Sequence, residues 1–533
     1  MTIRQMKRTY FVIMMAILWS AVNSEAGYQI TFTPRVSVNT DYSDNLFLQS
    51  ENEAYDYITV ISPGFTAQAM NRTWNVTLSY DTGYSCYEKF VQYNTLRHNA
   101  QLTGGIGFTK HTRLDFKNTF LLTEEDVTKV EEAGSETEES PLTEPKTHVA
   151  EKETVRRTRE QHYSDDMLVV LTHQFGEADI FNAKYSYNIL KNEDTAVQDT
   201  TRHNPSLSFV YWPLPGQFGV NASLSYKREE RSDTAEQAGY WEESVIPSVG
   251  VKYWFIPRQL GIEADIFYTK EDFSDISDGR NKWDKSLKPS IRLIFKPASG
   301  RLGFESSLVN TGALASDPTR DFDNWQGSMK ISRQLTKQLE GFFQYTHTVM
   351  DFKGNGENYS VYDPSVGITY TFAEGLPLTF SLGYFIRNKA QSEDDAALAL
   401  NGNLGKTWNF NRHGSVSLTT SSGYDEDYIG AERLGFGIYY DAKSTAKYAF
   451  SKYLSADLYG SFRRDKYTDL ETTRNDETRE LGSGLTFQKN PWVIRVDYTR
   501  RTIDSTLSEN DYDENRITLK VVLSPFRPIR LND

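Results

Sequence analysis

From Ile30 onward the chain alternates apolar and polar residues with a period of two. In residues 73–84, Trp74, Val76, Leu78, Tyr80, Thr82 and Tyr84 alternate with Asn75, Thr77, Ser79, Asp81 and Gly83. Successive side chains of a strand point to opposite faces, so each such segment has one apolar and one polar face. The pattern returns at 96–108, 245–255, 260–268 and 517–523. At 434–450 it places Leu434, Phe436, Ile438, Tyr440, Tyr448 and Phe450 on one face. About 24 segments follow, beginning near residues 30, 55, 73, 95, 112, 166, 178, 202, 217, 242, 259, 286, 301, 323, 337, 360, 377, 396, 413, 433, 453, 478, 491 and 515. Each runs roughly 10–14 residues, close to the ~9–11 that a tilted strand needs to cross a bilayer.

The connections alternate in length. Short ones include Asn71-Arg72, Lys110-His111, Gly176-Glu177, Pro257-Arg258, Ala373-Glu374-Gly375 and Asn490-Pro491. Long, polar ones lie around 43–54, 87–94, 124–163, 189–201, 228–240, 270–285, 312–322, 464–477 and 503–514. Short turns on one side and long loops on the other mark an outer-membrane barrel. The expectation is an all-β fold: a transmembrane antiparallel up-and-down β-barrel of about 24 strands (22–26), with short periplasmic turns and long extracellular loops. Tyr42, Tyr84, Tyr187, Tyr211, Tyr253, Phe255, Tyr268, Phe295, Phe372 and Phe450 fall at strand ends, where interfacial girdles belong. A secreted sandwich or propeller would not keep one turn side short throughout.

The N-terminus has a different pattern. Arg4, Lys7 and Arg8 precede an apolar core from Tyr10 to Val22, and Ser24-Glu25-Ala26 offers a small-x-small cleavage site. Residues 1–26 read as a signal peptide and 27–533 as one barrel domain. No room remains before the first strand for a plug or periplasmic module. Composition narrows the alternatives. The lone Cys86 excludes a disulfide framework and a zinc-thiolate cluster. The net charge of −14 argues against nucleic acid as a partner. No metal site or cofactor is expected, since no spacing resembles a calcium loop. The eight histidines are scattered: His98 and His173 fall on the apolar face, and His111, His148 and His162 in turns or loops. No nucleophile–base grouping is readable, so no catalytic residue and no enzyme is expected.

Residues 31–48 (Thr-Phe-Thr-Pro-Arg-Val-Ser-Val-Asn-Thr-Asp-Tyr-Ser-Asp-Asn-Leu-Phe-Leu) and 57–65, with Ile61-Ser62-Pro63-Gly64-Phe65, carry a resemblance. They resemble the opening strands of an outer-membrane β-barrel porin family associated with exopolysaccharide and PEP-CTERM export systems. The resemblance implies an outer-membrane barrel linked to surface polysaccharide, with no catalytic residues. In one respect the chain departs from many outer-membrane barrels: it runs past Phe526 through Arg527-Pro528-Ile529-Arg530 rather than ending on an aromatic.

The polar face becomes the lumen. Candidate lining residues are Lys252, Arg292, Arg387, Arg463, Arg495 and Asp497, with the aromatics Trp254, Tyr439 and Tyr459; Phe267, Phe342 and Phe385 share that face. Mixed signs predict weak ion selectivity. Rings among polar neighbours suit carbohydrate, although they could equally be filling. A 24-stranded lumen should be partly occluded, because even 16–18 strands leave a channel. The candidate gate is the loop 124–163, with Glu131 and Glu132 in its acidic half and Arg156, Arg157 and Arg159 in its basic half. That loop could instead be a solvated surface tract. The functional expectation is a porin-like conduit in the outer membrane of a Gram-negative-type bacterium, for export or passage of surface polysaccharide. The alternative is a structural or adhesive barrel with an occluded lumen. Expected partners are outer-membrane lipid and lipopolysaccharide, polysaccharide and a periplasmic export protein, and the barrel is expected to be a monomer.

Overall fold

A computed structural model describes residues 28–125, 159–234, 239–274, 281–297, 302–354, 356–372, 377–404, 408–409, 413–428, 435–468, 474–506, 511–524 and 528–530. They form one closed antiparallel sheet. Its first half comprises β1 (Gln29–Ser43), β2 (Asp56–Met70), β3 (Trp74–Tyr87), β4 (Thr95–Gly107), β5 (Thr112–Thr123), β6 (His162–Gln174), β7 (Ile180–Asn192), β8 (Thr200–Leu214), β9 (Phe218–Arg231), β10 (Tyr240–Ile256), β11 (Leu260–Ser274) and β12 (Asn281–Phe295). The second half comprises β13 (Leu302–Ala315), β14 (Phe322–Gln334), β15 (Leu339–Phe352), β16 (Tyr359–Thr371), β17 (Pro377–Lys389), β18 (Asp395–Leu404), β20 (Gly414–Asp427), β21 (Gly435–Ala449), β22 (Leu454–Tyr467), β23 (Arg474–Lys489), β24 (Trp492–Ser505) and β25 (Tyr512–Leu523). Two two-residue pieces, β19 (Trp408–Asn409) and β26 (Ile529–Arg530), pair beside them. The wall is therefore 24 strands, as the alternation predicts.

Each wall strand pairs with its chain neighbour, and β25 returns to β1 through Val36↔Leu523 to Ser43↔Arg516. One parity of each strand carries exposed apolar residues, such as Val249, Val251 and Phe255 on β10 and Phe380, Leu382 and Tyr384 on β17. That parity is the lipid face. The opposite parity faces the interior. Near the short turns the lipid face ends in aromatic pairs: Phe175 against Phe209, Tyr253 against Phe255, Tyr370 against Phe372 and Tyr448 against Phe450.

Several strands start before the predicted residue: β6 at His162 rather than 166, β12 at Asn281 rather than 286, β23 at Arg474 rather than 478. Apart from Tyr163 and Trp283 the added residues are polar, and they sit at the long-loop end. Apolar alternation stops where the bilayer stops, but backbone pairing continues into water. On β9 and β10 the extension is held by Arg228–Glu243 (3.2 Å) and Lys227–Glu242 (3.3 Å). His162, expected in a loop, is the buried first residue of β6. Residues 1–26 and Phe526 lie outside the described residues.

Candidate conduit and its extracellular closure

The interior face of β10–β15 carries a belt of alternating charge. The Lys252 ammonium meets Glu263 at 2.9 Å, and Arg292 reaches Glu263 at 3.5 Å and Glu305 at 2.5 Å. Glu305 stands opposite Lys330 in register, and the Lys330 ammonium lies 4.2 Å from the Phe342 ring centre. Opposite charges side by side on neighbouring strands stabilise the sheet and cancel much of each other's field. A second set lies on β22–β24. Arg495 binds Asp457 through two nitrogens, at 2.9 and 3.0 Å, and its neighbour Asp497 at 2.6 Å. Arg463 pairs with Asp465 at 2.7 Å. Arg35 and Asp81 make a two-pronged pair on β1 and β3.

Glycines on intervening strands are the floor of this lining. Gly64 lies between Arg35 and Asp81, and Gly484 lies beneath Asp457 and Arg495. The interior aromatics use the same device. Trp254 is directly opposite Gly261, where an added methyl would sit 2.6 Å from the indole. Phe342 faces Gly367, Tyr459 faces Gly482, and Tyr439 faces Gly423. A ring can lie flat where the facing residue has no Cβ. Tyr459 is held there by its hydroxyl, 3.0 Å from the Thr499 hydroxyl oxygen. Trp254, Phe342 and Tyr459 are thus spread along the wall, on β10, β15 and β22. The glycine signal was present in the sequence, but only the register joins each glycine to its ring.

The first loops close over β1–β5. Asp56, fully buried, accepts backbone N–H bonds from Tyr57, Glu88, Lys89 and Phe90 and so fixes the 88–94 loop. Arg97 binds Glu124 at 2.5 Å and Glu125 at 2.6 Å, and the Tyr87 hydroxyl donates to Glu124 at 3.0 Å. Glu124 is 0% exposed, so this charge is stable only because it is surrounded by donors. Burial pushes the Glu125 carboxyl upward, but Arg97, Arg516 and Arg159 outweigh it and hold the group below its ordinary range. Arg159, the one gate residue of the sequence reading that is described, donates twice to the Leu46 carbonyl, at 3.1 and 2.9 Å. It is buried at the mouth. Glu131, Glu132, Arg156 and Arg157 lie outside the described residues.

The largest departure from a round barrel lies on β14–β21. The β18–β20 ladder has two pairs, Gly402↔Thr420 and Asn403↔Thr419. Above them the two strands separate, and the extracellular half of the β20–β21 hairpin turns inward. Asn324 on β14 donates to Glu426 on β20 at 2.6 Å, and the Tyr359 hydroxyl on β16 donates to the same carboxylate at 2.8 Å. The Thr348 and Tyr424 hydroxyls meet at 3.0 Å. Along the sheet β14 and β20 are five steps apart, roughly 24 Å at the usual strand spacing. The wall must therefore overlap itself.

Parity shows how. Phe436 and Ile438 share a face with the exposed Tyr448, yet they are buried against Phe322, Met350, Tyr359, Val361, Phe385 and Ala399, all on interior parity. The lipid-type face of the hairpin thus covers an apolar stretch of the inner wall. This corrects two expectations. The 434–450 face is lipid-facing only in its lower half. Arg387 does not line an open lumen: it is 2% exposed, with its guanidinium carbon 4.0 Å from the Tyr359 ring centre and 4.1 Å from that of Phe436. Among the described residues no group of three or more potential metal ligands is found.

Comparison with known proteins agrees with this architecture. Residues 299–524 match the model of the family described as "Putative beta-barrel porin 2". No curated protein matches the chain. A variant of the ferric enterobactin receptor from Pseudomonas aeruginosa aligns over 94% of this chain and 81% of its own, with 9% identity and a TM-score of 0.53. The siderophore receptor PirA of the same organism aligns over 92% and 80%, with 10% identity and a TM-score of 0.50. At such identities the likeness is one of fold. The family match spans β13 to β25, half of the wall, and with the barrel architecture it supports a place in the outer membrane.

Proposed function

We propose that the chain is a passive conduit, working as a monomer without a catalytic step, for export or passage of surface polysaccharide. The observation that carries this reading is the interior surface around β10–β15 and β22–β24. Paired charges of both signs there give a polar wall with little net field, and the rings of Trp254, Phe342 and Tyr459 lie flat among them. Sugars stack their C–H faces on such rings while neighbouring polar groups bond their hydroxyls. The opening strands, which resemble an exopolysaccharide-associated family, support the same solute class. Lipopolysaccharide around the barrel and a periplasmic export partner belong to this reading. A second reading, an occluded structural barrel, is favoured by the inward-turned β20–β21 hairpin.

Planar-bilayer conductance separates the two. The conduit predicts weakly selective ion conductance that acidic or neutral polysaccharide blocks, with block weakened in Trp254→Ala and Tyr459→Ala. A folded barrel that stays silent, both intact and with residues 126–158 deleted, would favour the structural reading.

A further inference from the structure

Above the apolar band on the outer face of β9–β11 and β14–β15, cations have carboxylates of their own. Arg228 meets Glu230 at 2.6 Å and Glu243 at 3.2 Å. Lys270 meets Asp272 at 2.5 Å, and Lys353 meets both Asp323 and Asp351. The outer face of β22–β24 is built differently. The parity that carries the lipid-exposed Leu458, Leu481, Val496 and Tyr498 continues outward into Arg464, Arg479 and Arg500, all three exposed. Counted from the short-turn end, Arg464 is the eleventh residue of β22, Arg479 the eleventh of β23 and Arg500 the ninth of β24. A tilted strand crosses the hydrocarbon layer in about 9–11 residues, so the three stand where the layer ends. The register agrees. Arg500 lies opposite the exposed Leu481, and Arg479 opposite Phe462.

One carboxylate serves this row. Glu477 pairs with Arg479 and lies 4.0 Å from Arg464. Arg500 has no ion pair among the described residues. Asp504, the next acid on this face of β24, lies four residues beyond Arg500 and pairs with none of the three. Like charges on neighbouring strands destabilise a sheet, so this excess calls for an anion from outside the chain. A guanidinium presents a planar fork that matches phosphate oxygens, and it does so best where water is partly excluded. The lipid-exposed rung directly beneath selects the form of that phosphate. An anion with acyl chains of its own covers Leu481 and Val496 while its head meets the arginines; a free phosphate covers neither. Successive arginines are diagonal neighbours on adjacent strands, about 7–8 Å apart, so the row is longer than a single phosphate bridges.

We propose that the outer face of β22–β24 is a binding site for an acylated, phosphorylated saccharide of the outer leaflet. Arg479 and Arg500 hold one phosphate, Arg464 extends the row toward a second anionic group, and acyl chains lie along Leu481, Leu485 and Val496. This rests on the lipopolysaccharide part of the reading above and gives it a defined seat. It does not depend on what the lumen conducts.

The test uses the full chain, folded in detergent and mixed with bisphosphorylated lipid A, with bound lipid counted by native mass spectrometry. The unaltered protein retains lipid A. Arg479→Gln with Arg500→Gln, verified as folded by heat-modifiable mobility, lowers retention several-fold, whereas Arg228→Gln leaves it unchanged. Lipid A stripped of its phosphates binds several-fold more weakly, and inorganic phosphate does not displace the bound lipid. Retention unaffected by the double substitution, equal binding of the dephosphorylated lipid or of phosphatidylglycerol, or displacement by inorganic phosphate would overturn the site. Planar-bilayer conductance of the same double variant stays at the unaltered level, so loss of the lipid site and loss of the conduit are read separately.

Discussion

Two seams of this barrel are built in opposite ways. β1 and β25, at opposite ends of the chain, are joined by an unbroken ladder and then by side chains. Asp41 accepts from the Thr518 hydroxyl at 2.5 Å, Asp44 takes both the N–H and the side-chain amide of Asn515 at 2.7 Å, and Asn45 donates to the Asp513 carbonyl at 2.8 Å. β18 and β20, near neighbours in sequence, share two pairs and a serine. Closing the first seam costs more chain entropy, since loop-closure cost rises with the length enclosed. It is reinforced accordingly. The second joins strands that could not drift far apart anyway, so a loose joint there costs little. In a closed sheet, looseness can be placed where connectivity already limits the damage.

The mouth network beside the first seam should give the largest response. Arg97→Ala leaves Glu124 buried without its main partner, a change that typically costs about 3–5 kcal/mol. The temperature at which the heat-modifiable band disappears should fall steeply. An unchanged temperature would mean that the network adds nothing to the closure. At the second seam, Arg387→Ala removes a desolvated cation between two rings, about 2 kcal/mol. Arg387→Lys should rescue it only in part, because the planar stacking is lost. Equal stability of the Lys and wild-type proteins in urea would contradict that.

Ser422→Ala should cost less, about 1 kcal/mol for its hydrogen bonds. It should increase deuterium uptake at Leu398–Leu400 while leaving β1 and β25 unchanged; uptake spreading to β1 would show the seams to be coupled. The smallest effect is that of pH. The Glu125 carboxyl lies below its ordinary value near 4.5 when folded, so its contribution is complete above that value. It is lost as the pH falls through the depressed folded value. Mouth stability of the wild type should therefore decline on acidification below about 4.5, whereas Glu125→Gln should remove part of that decline. Identical acid profiles for the two would remove Glu125 from the account.

Much of the wall was legible because period two survives in every strand. Lys252 and Arg292 were legible as interior charges, although their partners Glu263 and Glu305 required the register. The overlap was not legible at β21. Phe436 and Ile438 follow the same alternation whether they meet lipid or an apolar wall. The signal lay on the other side, in interior-parity residues that are apolar on consecutive strands: Met350, Val361, Phe385 and Ala399. Of these only Phe385 stood out by its ring. Strand ends were misjudged at His162 and Asn281 because polar residues paired in water show no hydrophobic alternation.

The glycines opposite Trp254, Phe342 and Tyr459 invert the usual relation between the size of a substitution and its consequence. Glycine to alanine adds one methyl group, the smallest change a side chain can undergo. At Gly261, Gly367 or Gly482 that methyl would lie 2.6, 2.2 or 2.1 Å from the ring it faces, far inside van der Waals contact. The ring must then stand up from the wall and project into the passage. One carbon added to the lining would shift a whole aromatic side chain across the bore, so calibre is controlled by residues that have no side chain.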